Sequence, residues 1–335
     1  MQRRDFVRGA AATAAFAAWP DHLRAFPRRA PSRPPLLNAH AHVNSQRVAD
    51  HLASLMGRRV LEPLDGAEII RRLDRMGIRR AFVLSTAYMM ASDVGHPLPP
   101  DEEQKAVAAE NDFTAAQAAL APDRLIPFLS VNPKRDYATA EIDRAVDRNG
   151  MRGLKLHFWN SMVDLRQPDQ LVSVKRAIDH AAARGLPVVG HVYIGAVKDF
   201  GPADIDRIID QIILPNEGLR FSFAHLGGAG GFAGVVQRIF ARLVERVGPG
   251  HPAANRVFAD MAVTLLADGI GPIPATPPAA RARMGELLQG WGLDRVYWGS
   301  DTFEASLAQT EAAWPLDEAA WDRLASNTGD RFLGS

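Results

Sequence analysis

The stretch Leu36-Leu37-Asn38-Ala39-His40-Ala41-His42-Val43 is an apolar run with two histidines set into it. Read as a β-strand, it sends successive side chains to opposite faces. His40 and His42 then share one face, while Ala39 and Ala41 point the other way, toward flanking helices. Working outward, similar short runs recur at 80–86, 125–131, 151–157, 186–192, 219–225, 256–263 and 295–300, which makes eight candidate strands. Between them lie helical patterns such as 66–76, 101–120, 171–184, 202–213, 232–247 and 278–291, with a last helix near 317–326. Gly77, Pro122, Gly185, Gly218 and Gly292 stop several helices before the next strand. This alternation predicts βα units and a parallel sheet. Eight units in one chain predict an α/β fold closed as a (β/α)8 barrel, with residues 31–335 as one domain. No G-x-G-x-x-G follows the first strand, which argues against a dinucleotide-binding sheet.

Barrel enzymes place their chemistry at the C-terminal ends of the strands. The first strand ends on His40 and His42, the fourth on Lys155 and His157, the fifth on His191 and the sixth on His225. The eighth runs into Asp301. Lys155 and His157 share a face, with Leu154 and Leu156 on the outer one. A lone histidine in a strand is commonly a hydrogen-bonded core residue, but five of the ten histidines at the ends of four strands, with an aspartate at another, form a set. Imidazole and carboxylate together suit zinc, or else iron or manganese. The chain has no cysteine, so thiolate metal sites and cysteine nucleophiles are excluded. His22, His51, His96, His180 and His251 fall in loops or helices and read as surface residues. Met89, Met90, Phe158, Trp159, Tyr193 and Phe303 follow strand ends and are candidates for an apolar pocket wall. The Gly-rich run 227–231 and the Pro- and Gly-rich stretch 267–278 read as loops near the mouth.

Hydrophobic residues make up 47% and charged residues 23% of the 335, the balance of a soluble globular chain. A net charge of +1 shows no nucleic-acid footprint. Residues 1–30 read separately. Arg3 and Arg4, Phe6, Arg8, a small-residue run and Ala15-Phe16-Ala17 describe a twin-arginine-like signal with a cleavage site, and the Pro- and Arg-rich segment 20–35 reads as a linker. The run is too short to anchor in a bilayer. The expected location is therefore periplasmic or secreted, with no stable membrane anchor. Monomer and homodimer stay open.

The order H-x-H, His191, His225, Asp301 resembles the amidohydrolase superfamily. The phrases Gly-Leu-Lys-Leu-His (153–157), Ala-His-Leu-Gly-Gly (224–228), Gly-Ser-Asp (299–301) and Asn327…Arg331-Phe332-Leu333-Gly334 are similar to its amidohydrolase-related branch of hydrolases, lactonases and carboxymuconate-semialdehyde-type decarboxylases. The resemblance covers residue 36 to the end. It implies that His40, His42, His191 and Asp301 bind one divalent metal, most simply Zn2+, with Mn2+ or Fe2+ as alternatives. His225 would polarise a carbonyl or move a proton, and Asp301 would take a proton from water. Lys155 and His157 would line the pocket and meet an anionic substrate. Asn38 replaces the family's usual Asp, and Thr302-Phe303 stands where a Pro is common. A carbamylated Lys155 bridging two metals is the variant arrangement. The implied activity is metal-dependent hydrolysis of an ester, lactone or amide of a small organic acid. The alternative is non-oxidative decarboxylation of an aromatic or muconate-type acid. A third reading, a barrel that binds without catalysis, is opposed by the intact ligand set.

Overall fold

The computed structural model describes residues 33–95, 98–232 and 234–334, so the signal-like segment, His22 and His96 lie outside the described residues. The strands are β1 (Leu37–Val43), β2 (Arg80–Ser85), β3 (Leu125–Ser130), β4 (Gly153–His157), β5 (Val188–His191), β6 (Phe221–Phe223), β7 (Val257–Asp260) and β8 (Val296–Tyr297). They form one eight-stranded sheet in sequence order, and neighbouring strands pair in parallel. The sheet closes on itself. Ala39 donates to the Trp298 carbonyl at 2.9 Å, Asp301 donates to the His40 carbonyl at 2.7 Å, and Ala41 bridges Asp301 in parallel. This is the expected eight-stranded α/β barrel.

Helices cover the outer face: α1 (Gln46–Met56), α2 (Gly66–Met76), α3 (Pro100–Ala118), α4 (Ala138–Asn149), α5 (Pro168–Ala183), α6 (Pro202–Ile208), α7 (Val235–Val247), α8 (Pro278–Trp291), α9 (Ser306–Ala313), α10 (Glu318–Ala325) and α11 (Asp330–Leu333). Two have the expected bounds, α2 and α8. α2 shows the local logic well. Asp65 caps its first turn by accepting from Glu68 N–H at 2.7 Å, Gly77 ends it at φ 69°, and Ile69 and Leu73 face inward. The stretch 202–213 divides into α6 and a π-helical turn, Ile209–Ile213. Within 267–278, the expected loop carries a small antiparallel hairpin, Gly269–Ile270 with Ile273–Pro274. Among the described residues, no helix is long and apolar enough to cross a membrane.

The barrel interior has two storeys. Below, Leu37, Phe82, Leu84, Phe128, Phe258 and Tyr297 pack together, and Phe332 from α11 plugs the floor. Above, polar side chains take over. One expectation fails here. β1 is not a uniform two-residue pleat, because its register against β2 shifts between Asn38 and Ala41. That bulge turns Ala39 toward the interior cluster with Leu37, while Ala41 and Val43 join the outer core. Ala39 and Ala41 therefore do not share a face. The bulge is pinned by Asn38, whose Oδ1 accepts from His40 N–H at 3.2 Å and from Ser300 N–H at 3.0 Å, and whose Nδ2 donates to Ser300 Oγ at 2.7 Å.

Candidate metal centre and active site

The upper storey gathers His40, His42, Lys155, His157, His191, His225, Asp260 and Asp301, all buried. The pleats of β1, β4, β5 and β7 point them inward, and the turn after β6 and the end of β8 supply the remaining two. His225 and Asp301 sit at φ 53° and 58°, in the left-handed region. Such a conformation costs about 1–2 kcal/mol for a residue with a Cβ, and sites of this kind cluster where function demands them. Gly299 is required nearby, because a Cβ there would lie 2.6 Å from the His40 Cβ.

Hydrogen bonds decide which imidazole nitrogen faces the cavity. His42 Nδ1 lies 2.9 Å from the Leu84 carbonyl, and His225 Nδ1 lies 2.9 Å from the Ala262 carbonyl. A carbonyl only accepts, so each Nδ1 carries the proton and each Nε2 keeps a lone pair. His40 Nδ1 lies 3.0 Å from Asp260 Oδ2, which assigns its proton in the same way. Two lone pairs thus face each other, with His40 Nε2 and His42 Nε2 3.2 Å apart. Asp301 Oδ1 is 3.6 Å from His42 Nε2. His191 Nε2 is buried without a hydrogen-bond partner. Facing lone pairs, an orphaned ring nitrogen and a carboxylate are what a divalent cation would satisfy. His40, His42 and Asp301 are close enough to share one. Lys155 Nζ lies 3.2 Å from His40 Nε2, so its ammonium and a cation compete for that lone pair.

Burial sets the charge states. It holds the imidazoles of His40, His157 and His191 well below their usual range and that of His42 at about 3, with the Lys155 ammonium adding to each shift. His225 is also lowered, mainly by burial. Neutral imidazoles are the ligand form. The carboxyls of Asp260 and Asp301 are pushed up by burial, and the Lys155 amine is pushed down by it.

The structure brings together every residue expected from the sequence: His40, His42, Lys155, His157, His191, His225 and Asp301 line one cavity. That cavity opens to solvent and encloses about 670 Å³ of space between atoms, its open mouth included. His157 stacks on His191 with centroids 4.0 Å apart, and Tyr88 stacks on the other side of His157 at 4.5 Å. Of the expected apolar wall, Met89 and Trp159 line the cavity. Met90 and Phe158 are buried in the outer core instead, Phe303 packs beside Val263, Leu266 and Ile273, and Tyr193 packs against Trp159 at 6.3 Å.

Asp260 and Tyr88 are among the residues that escape the sequence reading. Asp260 holds three donors: the His40 ring, His225 N–H at 3.0 Å and Ala262 N–H at 3.1 Å. It orients two histidines at once, as an outer carboxylate does behind a metal-ligating imidazole. The in-phase spacing of Phe258 and Asp260 on β7 was the available signal. Tyr88, on the short turn Ala87–Met89 after β2, lines the cavity.

A closed parallel barrel with a histidine and aspartate cluster at its C-terminal mouth defines a metal-dependent barrel enzyme. The chain belongs to the Amidohydrolase family, whose model matches residues 37–333. No curated protein matches the chain. Among solved structures, 2,6-dihydroxybenzoate decarboxylase from Rhizobium superposes with a TM-score of 0.59 at 15% identity, over 90% of this chain and 98% of that one. The 5-carboxyvanillate decarboxylase from Sphingomonas paucimobilis gives 0.60 at 14%, over 90% and 99%. A dihydroxybenzoic acid decarboxylase from Polaromonas sp. JS666, with bound manganese and the inhibitor 2-nitroresorcinol, gives 0.60 at 14%, over 90% and 97%. At such identities the likeness establishes the fold.

Proposed function

We propose that this chain is a metal-dependent hydrolase that opens an ester, lactone or amide bond of a small organic acid, with zinc at His40, His42, His191 and Asp301. The observation that carries this reading is Asp301. It is a carboxylate within ligand reach of the histidines, and burial raises it toward the range where a group can both take and return a proton. A bound divalent ion would supply Lewis acidity and an acidified water.

The chain's own residues do the rest. Asp301 accepts the proton of the attacking water and delivers it to the leaving group. His225, with Nδ1–H committed to Ala262, presents Nε2 as a proton acceptor. Its suggested role in moving a proton is therefore favoured over polarising a carbonyl, which needs a donor. Lys155 supplies positive charge for the substrate's anionic group, and the ring wall of Tyr88 and His157 shields the reacting bond from bulk water.

A second reading, decarboxylation of an aromatic or muconate-type acid, is favoured by that same wall. The rings of Tyr88, His157 and His191 stack in one column along the cavity lining, an aromatic edge beside which a flat acid could lie. The test is to assay the zinc-loaded and manganese-loaded protein against lactones, esters and aromatic carboxylates, scoring acid release apart from CO2. Acid release without CO2 supports hydrolysis. CO2 release from an aromatic acid with no hydrolysis replaces it by the second reading, and inactivity with no bound metal sinks both. Export by residues 1–30 belongs to the same proposal and is checked by cell fractionation.

A further inference from the structure

The cavity histidines do not all carry their proton in the same place. His40, His42 and His225 direct Nδ1–H outward to Asp260, Leu84 and Ala262, and turn lone pairs inward. His157 does the opposite. Its Nδ1 receives the backbone N–H of Asn160 at 3.2 Å. A backbone N–H only donates, so this Nδ1 carries no proton of its own. That excludes both the imidazolium and the Nδ1–H tautomer, and it leaves the ring's one proton on Nε2. The Asn160 peptide is firmly held. Its carbonyl accepts from Asp93 N–H at 2.8 Å and from Ser92 Oγ at 3.2 Å, and the Asp93 carboxylate pairs with Lys134 at 2.9 Å and Arg135 at 2.7 Å.

The surroundings of the ring say where that proton points. Tyr88 covers one face of His157 at 4.5 Å and His191 the other at 4.0 Å. Asn160 takes the Nδ1 corner. His157 nonetheless lines the cavity, so it does so through its remaining edge, the one that carries Nε2–H. The same cavity is lined by His42, His191 and Asp301. A metal ligand needs a free lone pair, and this nitrogen has none. His157 is a donor standing among acceptors.

Hydrolysis calls for such a donor. Attack by the water oxygen moves the π pair of the substrate C=O onto its oxygen, and a hydrogen-bond donor already in place there lowers the barrier. His225, with Nδ1–H committed to Ala262, offers that oxygen only a lone pair. We propose that His157 Nε2–H is a catalytic donor that holds the substrate's carbonyl oxygen and stabilises the negative charge developing on it. This role rests on the hydrolytic reading of the cavity. His157 keeps its proton throughout. The electron pair returns to re-form C=O as the bond to the leaving group breaks, and the leaving group takes the proton that Asp301 removed from water.

Two measurements on the zinc-loaded full chain test this. Long-range proton–nitrogen correlation spectra locate the ring protons. The His157 signals, identified by their loss in His157→Gln, should place the proton on Nε2, whereas His40, His42 and His225 carry theirs on Nδ1. A proton on His157 Nδ1 overturns the proposal. With dihydrocoumarin as the lactone, His157→Leu should lower kcat about 10²–10³-fold, with KM little changed and zinc content unchanged. His157→Gln, whose amide N–H reaches the place of Nε2–H, should recover about tenfold or more of that loss. A purely structural role would lower melting temperature and zinc content in both variants and give Gln no advantage. Near-wild-type kcat in His157→Leu, or equal rates for Leu and Gln, overturns the donor role and leaves the hydrolytic reading standing. If the wild type opens neither dihydrocoumarin nor phenyl acetate, the hydrolytic reading falls and the donor role with it. Should His157→Leu fail to fold, His157→Asn, whose shorter amide offers no donor at the place of Nε2, takes its part.

Discussion

The two storeys of the barrel interior are made by the same strands and follow opposite rules. On β7, Phe258 packs in the apolar floor and Asp260, two residues on, orients the histidines above. On β5, Val189 packs below and His191 faces the cavity above. The lower storey gains free energy by removing aromatic and aliphatic surface from water. The upper storey gives some of it up by burying imidazoles, an amine and two carboxylates, and by holding His225 and Asp301 in a left-handed backbone. Stability and chemistry are thus stacked along one axis, and the first supports the second.

That division can be broken in order of expected effect. Asp301→Asn should lower kcat by about 10³-fold or more while the melting temperature moves little, because the change is nearly isosteric. Turnover close to wild type would remove Asp301 from the chemistry. Phe332→Ala should do the reverse, costing about 3–5 kcal/mol in denaturant unfolding, while the folded fraction keeps its metal. A loss of metal from well-folded protein would show that the storeys are not separable. His225→Asn should slow the reaction about 10²-fold at unchanged metal content. If the metal leaves instead, His225 is a ligand, and the two-metal arrangement gains. Asp260→Asn should weaken metal affinity by about 10–100-fold, since the His40 ring loses its orienting carboxylate. Metal titration against a chelator reads this directly.

Acid should reveal the upper storey alone. In the metal-free protein His42 is held at about 3, and His40, His157, His191 and His225 are all lowered from 6.5, so they stay neutral where the unfolded chain charges. Below about pH 6.5 the unfolded state then binds more protons, and stability falls as pH falls toward the folded values. Asp260 and Asp301, raised by burial, act in the opposite sense but are two against five. Each histidine contributes at most about 1.4 kcal/mol per pH unit. Urea melts between pH 7.5 and 5 measure the slope, and a flat profile would mean that the histidines are already solvated.

The site was legible where the strand pattern is strict. His40 with His42, and Lys155 with His157, announce their face by spacing two, and His191, His225 and Asp301 follow apolar runs that can only be strands. Asp260 was only half legible: its spacing put it in phase with Phe258, but which phase of the run of Val, Phe and Ala faces inward is fixed only by the pairing of Phe223 with Ala259. The bulge in β1 hid for a related reason, since Ala39 is small enough to sit on either face. Tyr88 hid because the chain leaves β2 in a single 3-10 turn, where a two-residue period no longer applies. α9, of eight residues, is too short to carry a clear helical period, so tertiary packing decides it; α1 and α4 are amphipathic over 11 and 12 residues and were there to be read.

The bulged seam has a mechanical consequence. His40 and His42 stand on β1, and Asp301 stands just past β8, at the two ends of a loop whose Asn38–Ser300 bond spans 262 residues. An ion held by all three would clasp the first staves of the barrel to the last. Closing so long a loop is entropically expensive, and a single coordination sphere would hold it shut. Chelation should then loosen the hoop as a whole before it disturbs any one stave, with amide exchange rising first along β1 and β8.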